Sequence, residues 1–162
     1  MSQRPVVSKR GLAVLDKAFA AMRRWPDTVD MSDWVYYDDK IAATPRRPAP
    51  YCKVVACFAG HFALAATGRR PTKGDWYNIA ELPKSLQKAA RVYVAGGRVS
   101  CANLALSALG IPEAARDETW GLLFLTSGWP GKFLSRYNEA PSGRERAGAV
   151  IARVRHWLKT GE

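Results

Sequence analysis

The chain has 162 residues, of which 48% are hydrophobic and 24% are charged. This composition argues against gross disorder, and the length suits a single domain over residues 1–162 or two small ones, of which the single domain is the working assumption. Lys and Arg number 25 against 14 Asp and Glu, which gives a formal net charge of +11 and a pI near 10.0. That surplus favours a polyanionic partner, although charge also keeps proteins soluble.

The sequence has no run of about 20 apolar residues, which is the length that crosses a bilayer. Its first ten residues, MSQRPVVSKR, have basic side chains but no apolar stretch long enough for a secretory signal. The protein is therefore expected to be cytoplasmic, with no membrane partner. Three cysteines are an odd number, and in a reducing compartment they need not pair.

Caps and apolar spacing predict a series of helices. Ser8 is expected to cap a first helix over residues 9–24, which ends before Pro26 because the residue preceding a proline is pushed out of the α region. Proline, serine and glycine signals predict further helical segments at residues 83–95, 101–109, 112–125, 130–137 and about 141–159. No period-two alternation indicates a strand, so the fold is predicted to be all-α or mostly helical.

An almost wholly apolar stretch, residues 51–68, has two cysteines and one histidine at close spacing. About 16 residues of helix span roughly 24 Å, which is too short to cross a membrane. A helix that is apolar on every side belongs in the core of a globular protein. We therefore predict a buried central helix at about residues 53–67, surrounded by amphipathic helices.

The cysteines of this region allow a zinc site as well as simple burial. Cys57 and His61 are four residues apart, so in a helix they would share a face and could bind zinc together with Cys52 and Cys101. The spacing matches none of the usual paired zinc patterns, and free cysteine packs as a small apolar side chain. We expect buried thiols without metal or cofactor. A disulfide between Cys52 and Cys57 would require Cys52 to leave helical geometry.

Basic residues concentrate where acids are absent. Residues 40–74 contain no Asp or Glu, and prolines predict two basic loops there, at residues 40–51 and 68–76. The preferred binding residues are the basic and aromatic side chains of these loops, namely Arg46, Arg47, Arg69, Arg70, Lys73, Trp76 and Tyr77. A secondary basic face is predicted on the last helix, from Arg144, Arg153, Arg155 and Lys159.

Catalytic signatures are missing from the sequence. Its two histidines, His61 and His156, give neither a serine nor a cysteine nucleophile an obvious partner, because His61 is predicted in a core helix. The motifs of nucleotide hydrolysis and of zinc proteases do not occur. The protein is therefore expected not to be an enzyme, and no catalytic residue is assigned.

Several short motifs together resemble a family of small uncharacterised proteins of phages, prophages and bacterial mobile elements. They are DMSDW, ALSALGI, the WP pair at Trp129 and Pro130, the closing RERAGAVIARVRHWL, and C-x4-C-x-A-G at Cys52, Cys57, Ala59 and Gly60. The usual form in that family is C-G-T-x-x-C-x-A-G-W, whereas this chain has Lys-Val after the first cysteine and His61 in place of tryptophan. An aromatic residue at that position in relatives implies packing rather than metal binding.

The resemblance implies a function but no established activity. Small mobile-element proteins of this kind often bind and inhibit host machinery. The expected function is thus a non-catalytic binding or inhibitor module that engages an acidic protein or nucleoprotein of the host. The alternative is direct binding of DNA or RNA, which predicts an affinity that falls steeply with salt.

Overall fold

A computed structural model describes residues 5–32, 35–37, 54–91 and 94–162. The chain there forms seven α-helices, which confirms the prediction of a mostly helical compact fold. They are α1 Lys9–Arg24, α2 Phe58–Thr67, α3 Lys84–Ala90, α4 Cys101–Leu109, α5 Arg116–Phe124, α6 Gly131–Asn138 and α7 Gly143–Thr160. The segments predicted to start at Ser8 and Ser100 have the observed bounds, and both serine side chains accept a hydrogen bond from the first turn of their helix.

Four strands of three residues each were not predicted. β1 Val35–Tyr37 pairs antiparallel with β2 Val54–Ala56, and β3 Trp76–Asn78 pairs antiparallel with β4 Arg98–Ser100. Three residues are too few for apolar alternation to be visible in the sequence. The helix predicted at residues 83–95 is shorter than predicted and ends at Ala90, and further along the chain Gly96 and Gly97, both with positive φ, lead into β4.

The predicted central helix is confirmed as buried, but its start is corrected. It begins at Phe58 rather than near residue 53, because Val54–Ala56 is a strand and Cys57 is the extended N-cap residue. β-branched valines favour a strand that has a pairing partner. Every residue of α2 from Phe58 to Leu64 is buried, and α1, α4 and α5 pack against the helix.

The core is centred on Phe58 at the start of α2. Its ring lies 6.3 Å from that of Phe19 on α1, 6.1 Å from that of Phe62 and 5.9 Å from that of Phe124 on α5, measured between centroids. These distances and tilted geometries are those at which aromatic rings attract one another. One aromatic cluster thus joins the first, second and fifth helices.

A close helix crossing joins α1 to α4. A side-chain carbon added at Gly11 would lie 2.8 Å from the Cα atom of Leu109, so only glycine fits at this point of α1. Ser8 reinforces the crossing, since its backbone N–H donates to the carbonyl oxygen of Leu109 at 3.0 Å and its side chain caps α1.

The last helix, α7, packs on α1, α6 and the short 3-10 turn Pro26–Thr28. Ser142 caps it by accepting from the N–H of Glu145 at 3.3 Å, while the Ser142 hydroxyl donates to the carboxylate of Glu145 at 2.7 Å. The side chain of Ser142 thus satisfies one backbone donor of the first turn and also holds the Glu145 carboxylate near the start of the helix. Gly143 follows, and a side chain there would collide with Asp27 of the 3-10 turn, which fixes how closely the turn approaches the helix.

Candidate anion-binding groove

His61 has a structural environment in the core. Its Nε2 atom lies 3.0 Å from the carbonyl oxygen of Thr28 and 3.2 Å from the Thr28 hydroxyl. A carbonyl oxygen can only accept, so Nε2 holds the proton and donates it to Thr28. This hydrogen bond ties α2 to the 3-10 turn after α1, and a metal ion at Nε2 would have to break it.

The remaining members of the predicted zinc set are only partly described. Cys57 and Cys101 are both buried, Cys101 is a free thiol, and Cys52 lies outside the described residues. Burial raises the pKa of the Cys101 thiol well above its ordinary 9.0, and the nearby Cys57 thiol and Asp75 carboxylate raise it further. Among the described residues no three His, Cys, Asp or Glu side chains form a group that could hold a metal ion.

The predicted loop surface is described in part, because Arg46 and Arg47 lie outside the described residues. Arg69 and Lys73 are exposed, Arg70 is half-buried, and Trp76 keeps 39% of its surface exposed.

Tyr77 was wrongly predicted as a stacking contact. It is only 2% exposed, and its hydroxyl donates to the carbonyl oxygen of Arg69 at 3.3 Å. Successive residues of a strand face opposite sides, so in β3 Trp76 points outward while Tyr77 enters the core.

Arg153 was wrongly predicted on the exposed basic face of the last helix. The structure buries it completely, and its guanidinium donates from Nη2 to the carbonyl oxygen of Leu122 at 2.8 Å and from Nη1 to that of Glu162. Burial lowers the pKa of Arg153. Residue 153 is three or four positions from Val150 and Trp157, which places it on the apolar face of α7.

The other residues of that face are exposed, and two of them line a cavity. Arg144, Arg155 and Lys159 all reach solvent. A groove of about 730 Å³ lies between the end of α1, the Pro26–Thr28 turn, α6 and α7, and we call it the arginine groove. Its lining residues are Arg23, Pro26, Arg136, Arg144, Ala147, Gly148, Ile151, Ala152 and Arg155.

The four arginines of the groove come from three different elements. Arg23 belongs to the last turn of α1, Arg136 to α6, and Arg144 and Arg155 to α7, and all four are exposed. The Nη2 atom of Arg136 lies 3.9 Å from the position of a side-chain carbon at Gly148, so Arg136 reaches over α7 at that glycine. Arg23 and Arg136 are not predicted from the sequence, since only the packing of α1 and α6 on α7 brings them to this place.

The groove has a strong positive charge and an apolar floor. None of the described residues that line it is acidic. Within the described part of the chain no salt bridge joins the four arginines to an acid, although Arg155 stacks on the ring of Phe19 at 5.7 Å. The floor consists of Pro26, Ala147, Gly148, Ile151 and Ala152, of which Ile151 is 5% exposed.

Two further surfaces of the described chain are basic. A trough of about 370 Å³ on the other side of α1 is lined by Lys17, Ala20, Ala21, Arg24, Trp25, Leu64, Ala65 and Gly68. The α3 basic cluster consists of Lys84, Gln87, Lys88 and Arg91. None of the described residues that line this cluster is apolar, so it serves as a matched control for charge alone.

Comparisons with protein families, with characterised proteins and with solved structures found no significant match. Among the described residues, no helix is both long enough and apolar enough to span a bilayer.

Proposed function

We propose that the protein is a non-catalytic binding module that engages an acidic protein or nucleoprotein partner through the arginine groove. The observation that supports this most directly is the convergence of four exposed arginines on a cavity of about 730 Å³ with no acidic lining residue. The family resemblance supports a host protein as the partner and inhibition as the outcome, and the partner is expected in the cytoplasm.

The electrostatics of the groove favour an anionic occupant. Like charges gathered in one concavity raise the local potential, and they attract anions from a distance. A guanidinium group presents two parallel N–H donors that match a carboxylate or a phosphate. Since no described acid neutralises Arg23, Arg136, Arg144 and Arg155, these donors remain available to a partner.

The chemistry of the lining supports binding rather than catalysis. Arginine stays protonated at every physiological pH, so it cannot serve as a general base. The other lining residues are Pro26, Ala147, Gly148, Ile151 and Ala152, which offer neither a nucleophile nor an acid.

An acidic protein fits the groove better than a nucleic acid does. Proteins that hold single strands combine basic residues with aromatic rings on which the bases stack. Among the residues that the structure describes, none that lines the groove is aromatic, and its aliphatic floor matches aliphatic side chains instead. Direct nucleic-acid binding remains the second candidate because Trp76, which is 39% exposed, lies close in sequence to the exposed Arg69 and Lys73.

A binding titration with defined polyanions tests this proposal. A fluorescent 20-residue poly-glutamate and a dT20 oligonucleotide would be titrated with the protein at 50 mM salt and again at 300 mM. We expect the R144Q/R155Q variant to bind poly-glutamate at least tenfold more weakly than wild type. The K84Q/K88Q variant removes two charges from the α3 basic cluster and should stay within twofold.

Equal weakening by the two variants would show that only overall charge matters, and the groove would then not be the site. Tighter binding of dT20, with a steep salt dependence that survives R144Q/R155Q, would favour the second candidate.

A further inference from the structure

We propose that the occupant of the arginine groove is an acidic amphipathic helix of about three turns. Its apolar stripe would lie on the floor formed by α7, and its carboxylates would meet the four arginines. This inference rests on the proposed function, because it specifies the shape and chemistry of the partner for that same groove.

Gly148 is the first indication of a helical occupant. Glycine in the middle of a helix is unfavourable relative to alanine. At Gly11 and Gly143, atoms of neighbouring elements exclude a side chain, but at Gly148 the nearest such atom is the Arg136 guanidinium at 3.9 Å. Packing against the described part of the chain therefore does not require glycine at 148. A partner backbone that approaches the helix closely would require it.

The small residues beside Gly148 extend this open strip along α7. Ala147 and Ala152 lie on the same floor, so the surface there is shallow over more than one helical turn. Two helices approach to about 8 to 10 Å between their axes, and the shorter distances need small residues at the contact. The floor thus suits a helix laid along α7 better than an irregular loop.

The spacing of the arginines sets the length of the occupant. Arg144 and Arg155 are eleven residues apart on α7, which corresponds to roughly 16 Å along the helix axis. A partner helix of about three turns spans this distance. Arg23 and Arg136 add charges from α1 and α6, so the partner needs carboxylates at both ends of its apolar stripe and beside it.

Helix-in-groove recognition has a sequence signature in the partner. Apolar anchors recur at i, i+3 or i+4, and i+7, with polar residues on the other faces. For this groove the flanking residues should be Asp and Glu, and the anchors should be aliphatic side chains that fit over Gly148 and Ile151. A nucleic acid has phosphates but no aliphatic stripe, so it would leave the floor unmatched.

The test begins with a displayed library of random 18-residue peptides selected on the wild-type protein, with counter-selection on R144Q/R155Q. We expect the enriched peptides to combine acidic residues with aliphatic residues at helical spacing. Enrichment of acidic peptides without that spacing would overturn the helical occupant while leaving the proposed function intact. Failure to enrich any acidic peptide, together with no binding of poly-glutamate, would overturn both.

A second measurement separates shape from charge. The G148L variant fills the open strip without changing the charge, and we expect it to bind an enriched peptide at least tenfold more weakly. Poly-glutamate, which has no apolar anchors, should change by less than threefold. G121L is the matched control, since Gly121 is another helical glycine with no neighbouring atom within 4 Å of an added side-chain carbon, and it lies outside the groove.

Unchanged peptide binding by G148L, with a thermal midpoint equal to that of wild type, would show that no partner backbone approaches α7 at this residue. An equal loss with G121L would show that the effect comes from the fold and not from the groove.

Discussion

The core around α2 and the arginine groove on α7 differ in whether their side chains have partners within the described fold. In the core, the rings of Phe19, Phe62 and Phe124 all lie within 6.3 Å of the ring of Phe58, measured between centroids, so each side chain has a packing partner in the fold. In the groove, four arginines share a cavity with no acidic lining residue. The core therefore stabilises the fold, whereas the described part of the chain supplies no acidic lining residue to the groove arginines.

This contrast predicts a clean separation of effects. Substitutions in the core should lower the free energy of unfolding and leave anion binding intact in the folded fraction. Substitutions of groove arginines should weaken anion binding and leave the free energy of unfolding nearly unchanged. Each of the following variants tests one side of that separation.

The largest loss of stability is expected at the crossing of α1 and α4. G11A would place a carbon 2.8 Å from the Cα atom of Leu109, and neither backbone can yield easily. Overpacking of this kind costs about 3 kcal/mol. Urea denaturation should show this loss, and G121A, where an added carbon meets nothing within 4 Å, should instead gain about 0.5 to 1 kcal/mol. Equal effects of the two substitutions would contradict the crossing geometry.

The next largest effect separates two arginines on one helix. R153A removes the buried donor of two carbonyl oxygens, those of Leu122 and Glu162, and it also leaves a cavity. We expect it to lower the free energy of unfolding by about 2 kcal/mol. R155A removes an exposed side chain that stacks on the ring of Phe19, and it should lower the free energy of unfolding by only about 0.5 kcal/mol.

In poly-glutamate binding, R155A should show a larger loss than R153A. R155A should weaken this binding, while R153A should leave it within twofold at a temperature where the variant is still folded. A binding loss from R153A as large as that from R155A would mean that the groove and the core are not separate.

A smaller effect is expected from the Cys101 thiol as pH rises. Burial raises its pKa in the folded state above the ordinary 9.0, so the neutral thiol is favoured by folding. Below that pH both states hold the proton, and its contribution to stability is constant. Above it the unfolded chain ionises first, which favours unfolding. The loss between pH 8.5 and 9.5 should be about 0.7 kcal/mol.

Urea midpoints at these two pH values measure the loss, and C101A is the control because it cannot ionise. Between the two pH values, C101A should lose about 0.7 kcal/mol less stability than wild type. Identical pH profiles for wild type and C101A would mean that the thiol is not held neutral by burial.

The parts of the fold that sequence predicts well are those with local causes. Ser8 and Ser100 cap their helices with their own side chains, and Gly110 ends α4 in a left-handed conformation, so these bounds were predicted correctly. The start of α2 depends on the pairing of Val54–Ala56 with Val35–Tyr37, which no local pattern reveals.

The residues of the candidate site are harder to predict from the sequence, because a charged side chain is usually but not always exposed. That rule holds for Arg144 and Arg155 but not for Arg153, whose position on the apolar face of α7 outweighs its charge. Arg23 and Arg136 are separated by more than a hundred residues in the sequence. Only the packing of α1 and α6 against α7 brings them to one groove, and no motif reports that packing.

The smallest effect is expected at Trp76, for which the sequence predicts a stacking role and which lies outside the groove. With 39% of its surface exposed, W76A should change stability by about 0.5 kcal/mol or less and poly-glutamate affinity by less than twofold. The Y77A variant is the neighbouring control, because removal of this buried ring should destabilise the fold clearly. A large loss of poly-glutamate binding in W76A would place the acidic partner on residues 68–76. A loss confined to dT20 would instead assign nucleic-acid contacts to β3 and leave the arginine groove to the acidic partner.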